Sequence, residues 1–192
     1  MKVVIFDTET TGLVKHSLTP LKDQPYIIEL GTIVWDTVTD QTAERAWLMN
    51  PGVKLEAIIT KITGLRDEDV VDEPPFSAYV DAIANTFFQA NVMVAHNVEF
   101  DLAMLHNELK RCDRQQFPWP DTTMCTVRQY EHAFGHRPTL QQLYQHVLGK
   151  PLAQTHRALD DCRAVLEILQ HDVNNFFPKE VRRNGKPNAA RK

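Results

Sequence analysis

The chain has 192 residues, 43% of them hydrophobic and 24% charged, with a formal net charge of −4 at neutral pH. That length suits one domain with a sizeable core, no run approaches the ~20 apolar residues of a membrane span, and Met1-Lys2-Val3 runs straight into an apolar strand with no signal peptide. Cys112, Cys125 and Cys162 are odd in number and form no C-x-x-C pair, which argues against a disulfide scaffold or a cysteine zinc site; the expectation is a soluble, cytoplasmic protein with three packing cysteines.

The first predicted strand covers residues 2–8, where Val3, Val4, Ile5 and Phe6 give way to Asp7, Thr8, Glu9 and Thr10. Residues two apart in a strand face the same way, so Asp7 and Glu9 share a face. Two anions held this close repel each other, and a fold tolerates them best with a cation between them. Oxygen-only donors suit Mg²⁺ or Mn²⁺. Taken alone, the segment equally suits an apolar strand that ends in a solvated polar turn. Strands at 26–36 and 43–49 follow, the first with Leu30-Gly31-Thr32-Ile33-Val34-Trp35 as a β pattern, and the three are expected to form an antiparallel meander.

A short helix is predicted over Leu55–Ile62, with Thr63-Gly64-Leu65 as its exit, and a longer amphipathic helix over 75–89 with Phe76, Tyr79, Val80, Ile83 and Phe87 inward. A buried strand at 92–95 then opens an α/β half. It has helices near 97–111, 127–134, 139–148 and 157–171, a short strand around Met124-Cys125-Thr126, and Arg111 to Pro120 as a long surface loop. Asp101 falls in a first helical turn. Asp161 shares a helix face with Val165 and Ile168 and so points inward, whereas Asp160 is one step round and faces solvent.

Three segments carry a resemblance. Phe6-Asp7-Thr8-Glu9-Thr10-Thr11-Gly12-Leu13, then Ala95-His96-Asn97-Val98-Glu99-Phe100-Asp101, then His156 and Asp161 in H-x4-D spacing resemble, in order and separation, the motifs of the DnaQ-like or DEDDh 3′-to-5′ exonucleases. The resemblance runs from about Lys2 to Gln170. It implies an α/β fold, a ribonuclease-H-like mixed five-stranded sheet flanked by helices. It also implies that Asp7, Glu9, Asp101 and Asp161 hold two divalent cations, Mg²⁺ or Mn²⁺. In that scheme Asp7 bridges the ions, Glu9 and Asp161 complete the site of the ion that carries the attacking water, and Asp101 supports the second. His156, whose ordinary pKa lies near working pH, is the implied general base.

Substrate contacts are expected from Thr8, Thr10 and the backbone of residues 11–13, with Leu13 and Phe100 as apolar faces for a base or sugar and Asn97 fixing the loop. Burial beneath the helix serves Phe100 equally well, and His96 is read as a structural residue. Thr63 stands where the family often has a His that packs near the terminal base, which puts that contact in doubt.

The charge is unevenly spread. Lys179, Arg182, Arg183, Lys186, Arg191 and Lys192 against Glu180 alone give residues 178–192 a net +5, leaving residues 1–177 at −9. The expected organisation is an exonuclease domain over 1–177 and a basic, flexible tail over 178–192. An acidic body fits an enzyme that attracts phosphate locally, through bound metals. The expected partner is a nucleic acid 3′ end, DNA before RNA, with RNA trimming or a non-catalytic end-binding module as the alternatives. Gln170, Val173, Phe176 and Phe177 also match the spacing of sliding-clamp peptides, against which stands simple docking of both aromatics on the core; a polymerase partner would have to be a separate chain.

Overall fold

The computed structural model describes residues 1–153 and 155–177, so the reading of residues 178–192 as a basic tail lies outside the described residues. Five strands, β1 (Lys2–Thr10), β2 (Ile27–Asp36), β3 (Thr42–Leu48), β4 (Val92–Ala95) and β5 (Thr122–Cys125), form one sheet in the order β3-β2-β1-β4-β5. β1, β2 and β3 pair antiparallel, as the meander expects, and β4 and β5 add in parallel on the other side of β1. Among the described residues the helices are α1 (Ala57–Thr63), α2 (Asp67–Val70), α3 (Phe76–Phe88), α4 (Val98–Arg111), α5 (Thr126–Phe134), α6 (Leu140–Leu148), α7 (Ala158–His171) and α8 (Val173–Phe176).

β1 is central, and its two faces feed different cores. Val3 and Ile5 join Ile33, Trp35, Val92 and Val94 against Ala164, Val165 and Ile168 of α7. Val4 and Phe6 join Leu30 and Met93 against Ile83 and Phe87 of α3 and Met104 and Leu105 of α4. Because side chains alternate along a strand, this parity carries through to the polar end of β1. Odd residues face α7 and even residues face α4.

Several boundaries differ from the sequence reading. The short strand is Thr122–Cys125, and Thr126 already begins α5. The short helix is Ala57–Thr63, so Leu55 precedes it and packs instead in a side cluster with Ile28, Ile59, Leu65 and Val70. The Arg111–Pro120 segment is a loop with residues 113–116 exposed, and its far end is packed: Phe117 and Trp119 stack edge-on against Phe87, with centroids 5.4 and 5.7 Å away. The longest connection among the described residues is that between β1 and β2, residues 11–26. It is tied to α4 by Arg111, whose guanidinium donates to the carbonyls of Leu21, Gln24 and Pro25 at 3.0, 2.8 and 3.0 Å and stacks 3.8 Å over Tyr26. Phe176 and Phe177 are buried, the latter edge-on to Trp35 at 6.2 Å, so both aromatics of the clamp-like pattern are folded into the core.

Candidate active site

β1 outruns its parallel neighbour. Pairing with β4 is registered from Val3 to Ile5, while pairing with β2 continues to Thr10. Residues 7–10 therefore have a strand on one side only, at the carboxyl ends of β1 and β4, where open α/β sheets characteristically bind ligands. Asp7 and Glu9, on the α7 face, meet Asp161 in the first turn of that helix. One carboxylate oxygen from each of the three lies within 4.8 Å of the others. The odd-numbered pair on the strand and the inward carboxylate on the helix thus come together as their spacing predicts.

Two residues of β2 let α7 come this close. Gly31 lies opposite Asp7, and a Cβ on it would stand 2.5 Å from the carbonyl carbon of Ala158. Only a residue without a side chain admits the helix start there. Glu29 lies opposite Glu9 and is 2% exposed. Its carboxylate accepts from Arg157 Nε and Nη2 at 2.9 and 2.7 Å and from the Ala158 N–H at 3.1 Å. A forked pair with a third bond from a helix N-terminus is the form in which a buried carboxylate is well compensated. Neither Glu29, Gly31 nor Arg157 is among the residues singled out from the sequence. The available signal was a Glu in an otherwise apolar strand, on the same parity as Gly31 and Ile33.

The electrostatics of the cluster are those of crowded anions. Burial, then Asp101, Glu9, Asp161 and Glu29, hold the Asp7 carboxyl well above the ordinary range. Burial, then Asp161, Glu29 and Asp101, push Glu9 up to about 8, with Arg157 opposing. Crowding of this kind disfavours the charged acids, and a cation between them would relieve it. The donor set, all carboxylate oxygen and converging on one point, fits a hard divalent ion.

Asp101 stands apart. It lies in the first turn of α4, on the other face of β1, and one of its oxygens accepts from the Thr8 N–H at 3.0 Å and the Thr8 hydroxyl at 2.8 Å. Burial pushes its pKa up to about 7, and the two bonds from Thr8 oppose the shift. Asp101 is outside the close trio of oxygens, though near enough to be the largest charge acting on Asp7.

The remaining sequence-predicted residues fall as follows. His156 is exposed, immediately ahead of α7, with φ of 51°, a left-handed conformation uncommon for any residue but Gly. Asn97 also has positive φ, at 70°, and its side-chain oxygen accepts from Arg137 at 2.6 Å, so it shapes the turn into α4. Thr8 is committed to Asp101, and the Thr10 hydroxyl donates to the Gly12 carbonyl at 2.8 Å. Leu13 is 80% exposed. Phe100 is half-buried against the α4-side core. His96 is held between the Thr126 hydroxyl at 2.8 Å and the Pro138 carbonyl at 3.2 Å, and burial lowers its pKa to about 4, so it is a neutral structural residue. Burial and the nearby acids push the Cys162 thiol up, as suits a packing cysteine.

A family model described as exonuclease, RNase_T, matches residues 4–169. The chain belongs to this family, the DEDDh 3′-to-5′ exonucleases. Among its relatives, DNA polymerase III subunit epsilon of Treponema pallidum (strain Nichols) is 30% identical over 166 residues, covering 85% of this chain and 73% of that protein. DNA polymerase III PolC-type of Caldanaerobacter subterraneus subsp. tengcongensis is 29% identical over 172 residues, but this chain spans only 11% of its length. Among solved structures, the nuclease domain of 3′hExo bound to rAMP superposes with a TM-score of 0.73 at 14% identity, covering 91% of this chain and 92% of that one. Exonuclease X in complex with 5′-overhanging duplex DNA gives 0.59 at 22% identity, with the same coverage. The DEDDh exonuclease fold is thus the ribonuclease-H-like five-stranded sheet that the motifs imply, and exonucleases of this family use divalent metal ions. No helix among the described residues is long and apolar enough to cross a membrane.

Proposed function

We propose that this DEDDh exonuclease removes nucleoside 5′-monophosphates from the 3′ ends of DNA, with single-stranded or frayed ends its preferred substrates. The observation that carries the chemistry is the convergence of Asp7, Glu9 and Asp161 oxygens within 4.8 Å, with Asp101 across the strand. Asp7, Glu9 and Asp161 would hold one divalent ion, and Asp7 with Asp101 a second, Mg²⁺ or Mn²⁺ by their donor chemistry. When bound, such a pair supplies a nucleophilic water and neutralises charge on the scissile phosphate.

The chain's own residues do the rest. His156, exposed just ahead of α7 and five positions before Asp161, would take the proton of the attacking water on an imidazole nitrogen. Water oxygen bonds to phosphorus as the bond to the 3′ oxygen of the penultimate nucleotide breaks, which frees a 5′-monophosphate, and the leaving oxygen takes a proton from solvent to become the new 3′-hydroxyl. Leu13, Phe100, Asn97 and the backbone around Thr8 and Thr10 border the space for the terminal nucleotide. The net −9 of residues 1–177 offers few phosphate contacts along a duplex, so unpairing is not offset and frayed ends are favoured. The epsilon-subunit relative favours DNA, whereas the rAMP-bound neighbour keeps RNA as the second reading. Residues 1–177 would act as the exonuclease domain, with residues 178–192 as a basic extension. The free cysteines favour a reducing compartment, and we assign the cytoplasm.

The test is digestion of matched 5′-end-labelled DNA and RNA oligonucleotides with Mg²⁺ or Mn²⁺. A ladder that shortens from the 3′ end, faster on DNA and absent in excess chelator, is the expected result. Faster RNA shortening would reassign the substrate, and early release of the labelled 5′ nucleotide or cleavage of closed circles would overturn the polarity.

A further inference from the structure

The first turn of α7 carries Asp161, and the residue before its cap is His156, so both depend on where that turn sits. The apolar face of α7 packs on the sheet, and the Thr155 hydroxyl donates to Asp160 in its first turn at 2.7 Å, but neither contact engages the cap residue. Arg157 at the cap position makes no side-chain cap bond to its own helix, and His156 has positive φ, a conformation that persists only where the surroundings impose it. The imposed contacts come from across the sheet. Glu29 receives two bonds from the Arg157 guanidinium and one from the Ala158 N–H, one of the N-terminal N–H groups that have no partner within the helix. Glu29 is in register with Glu9, and the neighbouring Gly31 is in register with Asp7, so the residues that hold α7 lie directly beside the residues that α7 must meet.

We propose that Glu29 and Arg157 form a positioning clasp, which caps α7 from the sheet and sets His156 and Asp161 against Asp7 and Glu9; the proposal rests on the exonuclease reading of the site. Neither residue touches the reacting atoms. Arg157 Nε and Nη2 are both engaged by Glu29, and the Glu29 carboxylate is spent on Arg157 and Ala158. The fork geometry makes Arg the required partner, because Lys offers a point charge that cannot fix an orientation.

The experiment compares Glu29→Gln, Arg157→Met, the double variant of both, Arg157→Lys, and Arg163→Gln as a control on the same helix, whose Arg163 makes a surface pair with Glu44. Single-turnover and steady-state hydrolysis of a single-stranded oligonucleotide is measured with Tm and with amide exchange in the metal-free protein. Glu29→Gln and Arg157→Met should lower kcat by about 10- to 100-fold with KM nearly unchanged, and Arg157→Lys should fall between them and wild type. The double variant removes the buried unpaired charge, so its Tm should recover while kcat stays low. Amide exchange at Ala158 and Asp161 should rise about tenfold, with Val4 and Ile33 in the sheet unchanged. If kcat recovers together with Tm in the double variant, if Arg163→Gln costs as much, or if exchange at Ala158 does not move, the clasp is only structural and the proposal fails. A wild-type protein without 3′-to-5′ hydrolysis would instead overturn the functional reading, and the exchange measurement would still decide whether Glu29 and Arg157 hold the helix start.

Discussion

The two faces of β1 reach the site with the same device and treat it oppositely. Each meets a helix that presents an aspartate in its first turn, Asp161 on α7 and Asp101 on α4. On the α4 face the strand answers with Thr8, whose N–H and hydroxyl both bond to Asp101 and offset part of the cost of burying that carboxylate. On the α7 face the strand answers with Asp7 and Glu9, so a carboxylate meets two more of its own charge, with Glu29 behind them. The helix on this side is held by residues of β2, not by the acids it faces. One face therefore supplies a fixed acceptor, and the other an anionic site that is unfavourable until a cation enters. The same alternation of side chains that divides the apolar cores produces this division of labour.

Breaking the α7 face should cost most. Asp7→Asn removes charge from the acid common to both proposed ions at nearly constant volume, and losing metal stabilisation of several kcal/mol corresponds to about 10³-fold or more in turnover. The same change relieves repulsion, so the Tm of the chelator-treated variant should rise above that of wild type. Turnover within tenfold of wild type at saturating Mg²⁺ would remove Asp7 from the site. His156→Ala should come next, with a loss of ~10²- to 10⁴-fold in kcat, little change in substrate binding and a flattened acidic limb of the pH–rate profile. An unchanged profile would return His156 to the role of an ordinary loop residue.

Gly31→Ala tests the approach of α7 without touching a carboxylate. With a Cβ 2.5 Å from the Ala158 carbonyl carbon, either helix or strand must shift, which costs roughly 1–3 kcal/mol as overpacking and displaces Asp161. A displacement of about 1 Å is enough for roughly 10²-fold in rate. Full activity with lowered Tm would show that the close approach serves stability alone. Thr8→Val, on the α4 face, should cost less, about tenfold, because the Thr8 N–H still donates to Asp101 after the hydroxyl is gone. A loss as large as that of Asp7→Asn would mean that the two faces are not unequal after all.

The parts of this arrangement that were legible in sequence are the local ones. Alternation in β1 placed Asp7 and Glu9 on one face, and helical spacing turned Asp161 inward with Val165 and Ile168. These are periodicities that survive without knowledge of the partner. The clasp was not legible because Glu29 and Arg157 are separated by 128 positions, and nothing local to either names the other. The Thr8–Asp101 bond escaped for the same reason, and neither it nor the donation of the Thr10 hydroxyl to Gly12 is revealed by the substrate contacts expected of these residues. The Arg111–Pro120 segment was legible as a loop from its prolines and polar residues, but the docking of Phe117 and Trp119 was not, because their aromatic partner Phe87 is supplied only by the fold. Phe176 and Phe177 show the converse case, since an apolar pair at a chain's edge has two readings until the core is seen to have room for it.

The smallest expected effect is on stability, and it separates the two faces by pH. An acid whose pKa is higher in the folded than in the unfolded chain binds more protons when folded, so stability falls as pH rises between the two values. Glu9, moved from 4.5 to about 8, Asp101, moved from 3.8 to about 7, and Asp7, raised well above 3.8, all act in this sense. His96, lowered from 6.5 to about 4, and His106, lowered from 6.5, act in the opposite sense, but only below 6.5, where the unfolded imidazoles begin to bind protons. The window from pH 6.5 to about 8 is therefore governed by the carboxylates. In chelator the Tm should fall across it by about 2–4 °C for each kcal/mol lost, and millimolar Mg²⁺ or Mn²⁺ should remove the fall by compensating the charges that cause it. Asp101→Asn should remove a contribution to the slope that ends near pH 7, and Glu9→Gln one that runs through the whole window and ends near pH 8. A metal-free Tm that is flat or rises from pH 6.5 to 8 would mean that the anionic trio carries no strain for a cation to relieve, and the contrast between the two faces of β1 would fail with it.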